Sequence, residues 1–432
     1  LSSFIMKTLE RVILWHMLET TLALRPMCDE QHAFRKQRGT DTALSCMAER
    51  IEHALVNKRF ALGVFLDIQG AFDNVTPSSI VRGLRQKRAD PTTVRWYEQY
   101  LMNRSMETEV KGITVQRRLT RGTPQGGVLS PIMWNLVFDS LLACYGEASP
   151  VKCVGYADDA GLIIEGESQH ALVHHMNDAI ERALIWGDRN GLAFSPAKTV
   201  SVLFTRKHKF TMPREVKMRG ETIEYSNAVR YLGVNFDSKL LFTQHLTTKI
   251  KRAKAHLLQI KGAMGKLWGM PPRFMRWAYT GIVRPALTYG CIVWAKAASR
   301  TGMRQRLTRL NRLALMSLGH LRRSTPTAGL EVVVNLMPLD LHILRTAVEA
   351  EWRTRDFRRI SPGDLFTRTP GLKGHRQYLC EKAEALVGDL PQCDVTSVPP
   401  QWNRRYKFDM ESLSKGEPVK AEITVFTDGS LM

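Results

Sequence analysis

VGYADDAGLIIEG, residues 154–166, sets two adjacent acids between two apolar runs in a chain whose formal net charge is +21. Apolar runs on either side of a short polar break are the pattern of a buried hairpin whose turn presents Asp158 and Asp159. Like charges buried together raise each other's pKa, a penalty that bound divalent cations remove. Carboxylate oxygens that leave room for phosphate and water suit Mg²⁺. A third ligand has to come from elsewhere, and the other strongly apolar strand, within GVFLDIQGAFDNV (63–75), ends on Asp67. Two such strands side by side bring Asp67 and Asp158 to one edge of a sheet, where two ions about 4 Å apart serve phosphoryl transfer. Asp73 lies six residues further on, past the strand end, and is not assigned a metal.

The rest of the composition bounds the class. The 432 residues leave room for roughly two to four domains, because single cores rarely grow past ~250–300 residues. Ordinary apolar (44%) and aromatic (8%) fractions exclude disordered and fibrous classes. No stretch approaches the ~18 apolar residues of a membrane span. Seven cysteines, odd in number and never spaced C-x-x-C, argue against a disulfide framework or zinc knuckle and point to a reducing compartment. His170 and His174 share a helix face, but no third ligand accompanies them and zinc is not assigned. The chain begins on Leu1 and carries no signal peptide, so a piece of a longer product is expected.

The positive charge is concentrated. From Ser238 to Leu330 there is no Asp or Glu, while eighteen Lys and Arg occur there. Solvated helices normally mix signs to gain i,i+4 pairs, so an acid-free stretch of this length fits a surface that attracts polyphosphate. Leu307, Leu310, Leu313, Ala314 and Leu318 form a helical apolar stripe with Arg306, Arg309 and Arg312 beside it; Lys249, Lys251, Arg252 and Lys254 make a second basic cluster. Trp268, Trp277, Tyr279 and Trp294 are interleaved with these charges, as stacking platforms or as core.

Along the chain, Thr40 and Asp41 open a helix through Leu44, Met47, Ile51 and Leu55, and FALGVFLDI (60–68) is too continuously apolar for a surface strand. Thr76 and Pro77 start a helix through Ile80, Leu84 and Arg88, and Ser130 and Pro131 repeat that signal before Ile132, Met133, Leu136, Val137 and Leu141. A long helix is predicted from about Ser168 to Asn190, with Gly191 as its stop. VSVLFT (200–205) and VRYLGVNFD (229–237) read as strands, with a polar hairpin from Met212 to Tyr225 between them. A mixed region, helical to about Arg359, precedes a Pro-, Gly- and Arg-rich connector, and EITVFTDGSLM (422–432) starts a strand.

F-x-D-x-x-x-A-F-D (65–73), then RGTPQGGVLSP (121–131), then YADD (156–159) occur in that order, flanked by HAFRKQRGTDTAL (32–44), GLAFSPAKT (191–199) and RYLGV (230–234). Together these six motifs resemble the reverse transcriptases of non-LTR, LINE-type retrotransposons, of an I-like lineage in view of VFTDGS, which resembles the first strand of RNase H with Asp428 as its first acid. The resemblance implies an α+β, right-hand polymerase. It divides into fingers (1–60, N-terminally incomplete), palm (61–237, with a fingers insertion at about 78–120), a helical basic thumb (238–335), a connector (336–418) and a truncated RNase H start (419–432). No RNase H activity is expected from so short a piece.

On that resemblance Asp67 and Asp158 hold two Mg²⁺ ions, with Asp159 in support, and Lys198 protonates departing pyrophosphate. Phe72 sits under the incoming sugar and excludes a ribose 2′-hydroxyl, while Gln125 and Gly126 line the nucleotide and Arg35 and Arg38 contact triphosphate or template. Lys249, Lys251, Arg252, Lys254, Arg306, Arg309 and Arg312 grip the duplex. The implied partners are an RNA template, a DNA primer and dNTPs, with no membrane and no protein partner; the implied compartments are nucleus and cytoplasm. Two alternatives stay open: a catalytically silent, nucleic-acid-binding relic, and a group II intron-type or RNA-dependent RNA polymerase.

Overall fold

A computed structural model describes residues 3–354 apart from 103, 111, 147, 263–271 and 320–323, together with 374, 375, 377–379, 381 and 382. Residues Leu1–Gly388 make one compact unit and Asp389–Met432 a second. The second unit, the connector at 361–373 and the RNase H start with Asp428 lie outside the described residues.

The chain opens with α1 (Phe4–Glu19) and α2 (Thr21–Leu24), then α3 (Thr40–Val56). Gly39 caps α3, and Thr42 Oγ1 accepts the Gly39 amide at 3.1 Å, so Thr40 takes the first helical position. The α3 stripe of Leu44, Met47, Ile51 and Leu55 is buried. β1 (Phe60–Asp67) follows and is interior to a four-stranded sheet. After α4 (Ala71–Asn74), α5 (Pro77–Gln86) starts on Thr76, whose Oγ1 accepts the Ser79 amide at 3.2 Å. It ends earlier than its apolar spacing suggested, because Arg88 takes a left-handed φ of 54°. α6 (Pro91–Met102) leads into the exposed hairpin of β2 (Ser105–Val110) and β3 (Ile113–Arg118).

α7 (Ser130–Ala143) is buried along almost its whole length. Its cap is Leu129 rather than Ser130; the Ser130 hydroxyl donates instead to the Pro124 carbonyl. β4 (Lys152–Tyr156) and β5 (Asp159–Gly166) form the hairpin around the two acids, and α8 (Gln169–Asn190) runs from a Ser168 cap to Gly191 at φ 67°. β6 (Val200–Phe204) completes the antiparallel sheet in the order β4-β5-β1-β6. The polar hairpin is β7 (Val216–Met218) with β8 (Glu221–Ile223). VRYLGVNFD is two strands rather than one, β9 (Ala228–Tyr231) and β10 (Val234–Asp237), because Leu232 and Gly233 both adopt positive φ and turn the chain back.

Both faces of the sheet are covered, which is why β1 is apolar without alternation. Leu62, Val64 and Leu66 join a core with α7 and α8, whereas Ala61 and Phe65 join a second core with α3. That second core continues into the acid-free region, which is helical: α9 (Thr243–Gly262), α10 (Pro272–Ala278), a π-helical turn at Tyr279–Val283, α11 (Arg284–Thr288), α12 (Cys291–Ala298) and α13 (Thr301–Gly319); α14 (Thr327–Val333) straddles its end and α15 (Leu339–Thr354) follows it. No single described helix is long and apolar enough to cross a membrane.

Candidate active site

Antiparallel pairing of β1 with β5 sets Asp67 directly opposite Asp159. Tyr156 pairs with Asp159, so Ala157 and Asp158 are the turn, with Ala157 at φ 53°. The Trp134 indole N–H donates to the Ala157 carbonyl at 2.7 Å and fixes that turn from α7. The expectation that the acids are buried is not met: Asp158 on the turn and Asp159 at the strand end beside it are both exposed, because they stand at the end of the sheet, past its apolar layers. Their crowding is still felt. Partial burial, then Asp158, then Asp67 push the Asp159 carboxyl up to about 6.

Lys198 arrives from the loop after α8. The Ser195 amide donates to the Asp67 carbonyl at 3.0 Å, and the turn that follows places Lys198 Nζ 3.6 Å from Asp67 Oδ2. Four predicted residues from three separated segments thus meet at one sheet end.

Phe72 lies between Trp134, with ring centroids 5.5 Å apart, and Phe34, edge-on at 6.2 Å. The loop carrying Gln125 and Gly126 is laced to it: the Thr123 amide donates to the Phe72 carbonyl at 2.8 Å, and Gln125 Nε2 donates to Asp73 Oδ1 at 3.2 Å. Gly122 makes this approach possible. It has φ 77°, and a Cβ there would stand 2.8 Å from the Asp73 carbonyl oxygen. Gln125 and Gly126 themselves are exposed.

Arg35 and Arg38 are on the loop that bears Phe34, but their guanidiniums are engaged locally. Arg35 donates to the carbonyls of Cys28 and Gln31, and Arg38 pairs with Asp29 at 2.8 Å. Burial, and then Arg38, lower the Arg35 pKa.

The basic residues divide in the same way. Lys251, Arg252 and Lys254 on α9 and Arg306 and Arg309 on α13 are exposed, and Arg306 reaches the Thr247 hydroxyl at 3.2 Å, tying the two helices together. Lys249 turns inward, donating to the carbonyls of Ala286 (2.9 Å) and Tyr289 (3.4 Å), and burial lowers its pKa to about 8. Arg312 donates to the Thr325 carbonyl at 2.8 Å and the Thr327 hydroxyl at 3.0 Å. Tyr279 and Trp294 are core, Trp277 is 66% exposed, and Trp268 lies outside the described residues. On the outside of α8, His174 Nδ1 stands 3.0 Å from Asp178 Oδ2 with His175 adjacent, so His174 has acidic company that the His170–His174 spacing did not reveal.

Two residues of this region escaped the sequence reading. Trp134 was hidden inside the apolar run of α7. Glu10 of α1, fully buried, accepts the amides of Val128 (2.5 Å) and Leu129 (3.3 Å) beside the glycine loop, and no local pattern marks it.

Comparison with known proteins follows the same lines. The chain is 28% identical over 388 residues to a 115 kDa protein in type-1 retrotransposable element R1DM of Drosophila melanogaster, covering 89% of this chain and 36% of that protein. It is 26% identical over 323 residues to a retrovirus-related Pol polyprotein from type-1 retrotransposable element R1 of Bradysia coprophila (75% and 32%) and 26% identical over 330 residues to an RNA-directed DNA polymerase from mobile element jockey of Drosophila melanogaster (73% and 34%). The chain therefore spans about a third of the length of these curated relatives. Among solved structures, apo telomerase from Candida tropicalis aligns over 88% of this chain and 60% of its own at a TM-score of 0.43 and 12% identity, a likeness too slight to carry weight. Residues 1–236, more than half of the chain, match the family described as reverse transcriptase (RNA-dependent DNA polymerase), and the chain belongs to that family.

Proposed function

We propose that this chain is an RNA-directed DNA polymerase that extends a primer 3′-hydroxyl with deoxynucleotides. The observation that carries the reading is the register that sets Asp67 opposite Asp159, with Asp158 on the adjoining turn and Lys198 3.6 Å from Asp67.

In the reaction, the 3′-oxygen attacks the α-phosphorus, a new P–O bond forms as the bond from the α-phosphorus to the bridging oxygen breaks, the hydroxyl proton passes to water and pyrophosphate leaves. The donor set suits a hard divalent cation: partial burial, and then the neighbouring Asp158 and Asp67 carboxylates, raise Asp159, a repulsion that Mg²⁺ relieves. Asp67, Asp158 and Asp159 would hold two such ions, which when bound supply charge neutralisation and activation of a hydroxyl. Phe72, braced by Trp134 and Phe34, presents a rigid ring against the sugar and excludes a 2′-hydroxyl. Gln125, held by Asp73, orients sugar or base, and Lys198 is placed to give a proton to the departing pyrophosphate. Lys251, Arg252, Lys254, Arg306 and Arg309 form the surface for the RNA template and DNA primer. Lys249 and Arg312 serve that surface by holding its helices.

Extension of an oligo(dT) primer on poly(A) RNA with dTTP and Mg²⁺ tests the reading beside an Asp158→Ala control. Incorporation by the wild type and a loss of about 10³-fold or more in the variant is expected; equal signals would refute the catalytic assignment.

A further inference from the structure

Glu10 is a fully buried acid beside the glycine loop of the site. It is a carboxylate with no solvent exposure, on a helix whose only other buried residue is Met17. A buried carboxylate is tolerated when its oxygens are filled by donors. Here three donors serve it. Oε2 accepts the Val128 and Leu129 amides at 2.5 and 3.3 Å, and Oε1 accepts the Tyr100 hydroxyl at 2.6 Å. The carboxylate thus lies against the amino end of α7, where helix dipole and free amides favour negative charge.

The bonds fall at a telling place. Residues 122–130 form the loop that carries Gln125 and Gly126. Its front is tied to the sugar-facing segment through Gly122 to Val75 and Thr123 to Phe72, both at 2.8 Å. Its rear is tied at Val128 and Leu129 to Glu10. A Cβ on Gly127 would meet Ser130 Oγ at 2.9 Å and the Glu10 carboxylate at 3.2 Å, so the glycine is what admits the acid. Between these two clamps stands the exposed Gln125–Gly126 step. Tyr100 and Tyr97 of α6 hold the helix itself, Tyr97 by a hydroxyl 2.9 Å from Met17 Sδ.

Resting on the polymerase reading above, we propose that Glu10 is a positioning residue for the incoming nucleotide: it sets the rear of the 122–130 loop and so the placement of Gln125 and Gly126 against the sugar and base. It touches no reacting atom and acts through the backbone it holds.

The test compares wild type with Glu10→Ala, Glu10→Gln and Met17→Ala, the last loosening α1 while leaving the loop bonds in place. Two readouts are taken on the whole chain: the apparent KM for dTTP against kcat at saturating primer–template, and hydrogen–deuterium exchange of the peptide covering 123–130. Glu10→Ala should raise KM about tenfold with kcat changed less than threefold and speed exchange at Val128 and Leu129. Glu10→Gln, which keeps one acceptor, should lie between it and wild type, and Met17→Ala should lower the melting temperature with KM near wild type. Unchanged exchange in Glu10→Ala, or equal KM increases in Glu10→Ala and Met17→Ala, would overturn the proposal. A wild-type chain that incorporates nothing would overturn the polymerase reading instead, a failure the exchange measurement tells apart.

Discussion

The sugar-excluding role proposed for Phe72 rests on its neighbours more than on its own size. A phenylalanine free to rotate would yield to a 2′-hydroxyl; one wedged between Trp134 and Phe34, with its carbonyl bonded to Thr123, cannot. Phe72→Val removes the ring and leaves the backbone bonds, so discrimination against ribonucleotides should fall about 10- to 100-fold while deoxynucleotide incorporation persists. Paired incorporation assays with dTTP and UTP measure it, and unchanged sugar selection would assign Phe72 to the core. Residues of this kind were legible because short-range motifs carry them: Asp67, Phe72, Gln125, Asp158 and Lys198 each sit inside a recognisable run. Glu10 and Trp134 were not, since their meaning lies in partners more than a hundred residues away or in a turn formed only on folding.

At the scale of elements, caps and periodicity gave most of the helices their ends. Ser168 and Gly191 bound α8, and Thr76 starts α5, as local chemistry dictates. What local chemistry could not supply was the split of VRYLGVNFD, where tertiary pairing turns one apolar run into a hairpin, or the inward turn of Lys249. α9 also carries a pH dependence. His245 Nδ1 accepts the Asn235 amide at 3.2 Å, and burial, then Lys249 and Arg252, lower its pKa to about 4. The unfolded chain, with a histidine near 6.5, binds the extra proton first, so stability is full above pH 6.5 and declines as pH falls toward 4. The loss is on the order of 3 kcal/mol at most. Melting temperatures of wild type and His245→Asn between pH 7.5 and 4.5 should converge in slope only if other groups dominate; a shallower acid slope in the variant is expected.

Over the whole molecule, charge and core follow different rules. Phosphate-gripping residues show in the salt dependence of binding, and each exposed cation removed should lessen the slope of log K against log salt by about one. Lys251→Gln and Lys254→Gln should do so at unchanged stability. Lys249→Gln should instead cost about 1 kcal/mol of stability for its lost hydrogen bonds to two backbone carbonyls, read as a lower melting temperature, with a smaller change of slope. Equal slopes in all three would remove α9 from the duplex surface. The second of the two cores joins sheet and basic helices: Trp294 of α12 and Phe65 of β1 belong to one cluster. Trp294→Ala should therefore cost about 3–5 kcal/mol and lower one cooperative transition in calorimetry, without a separate melt for the basic helices.

That shared cluster bears on how a template would advance. Sheet residues Phe65, Val202 and Phe204 belong to the same cluster as Leu307, Leu310 and Trp294, so on the polymerase reading the basic helices and the carboxylate-bearing strands would turn as one piece. On that reading each one-nucleotide translocation would be made by the duplex slipping across a fixed bed, not by a lever swinging between two postures.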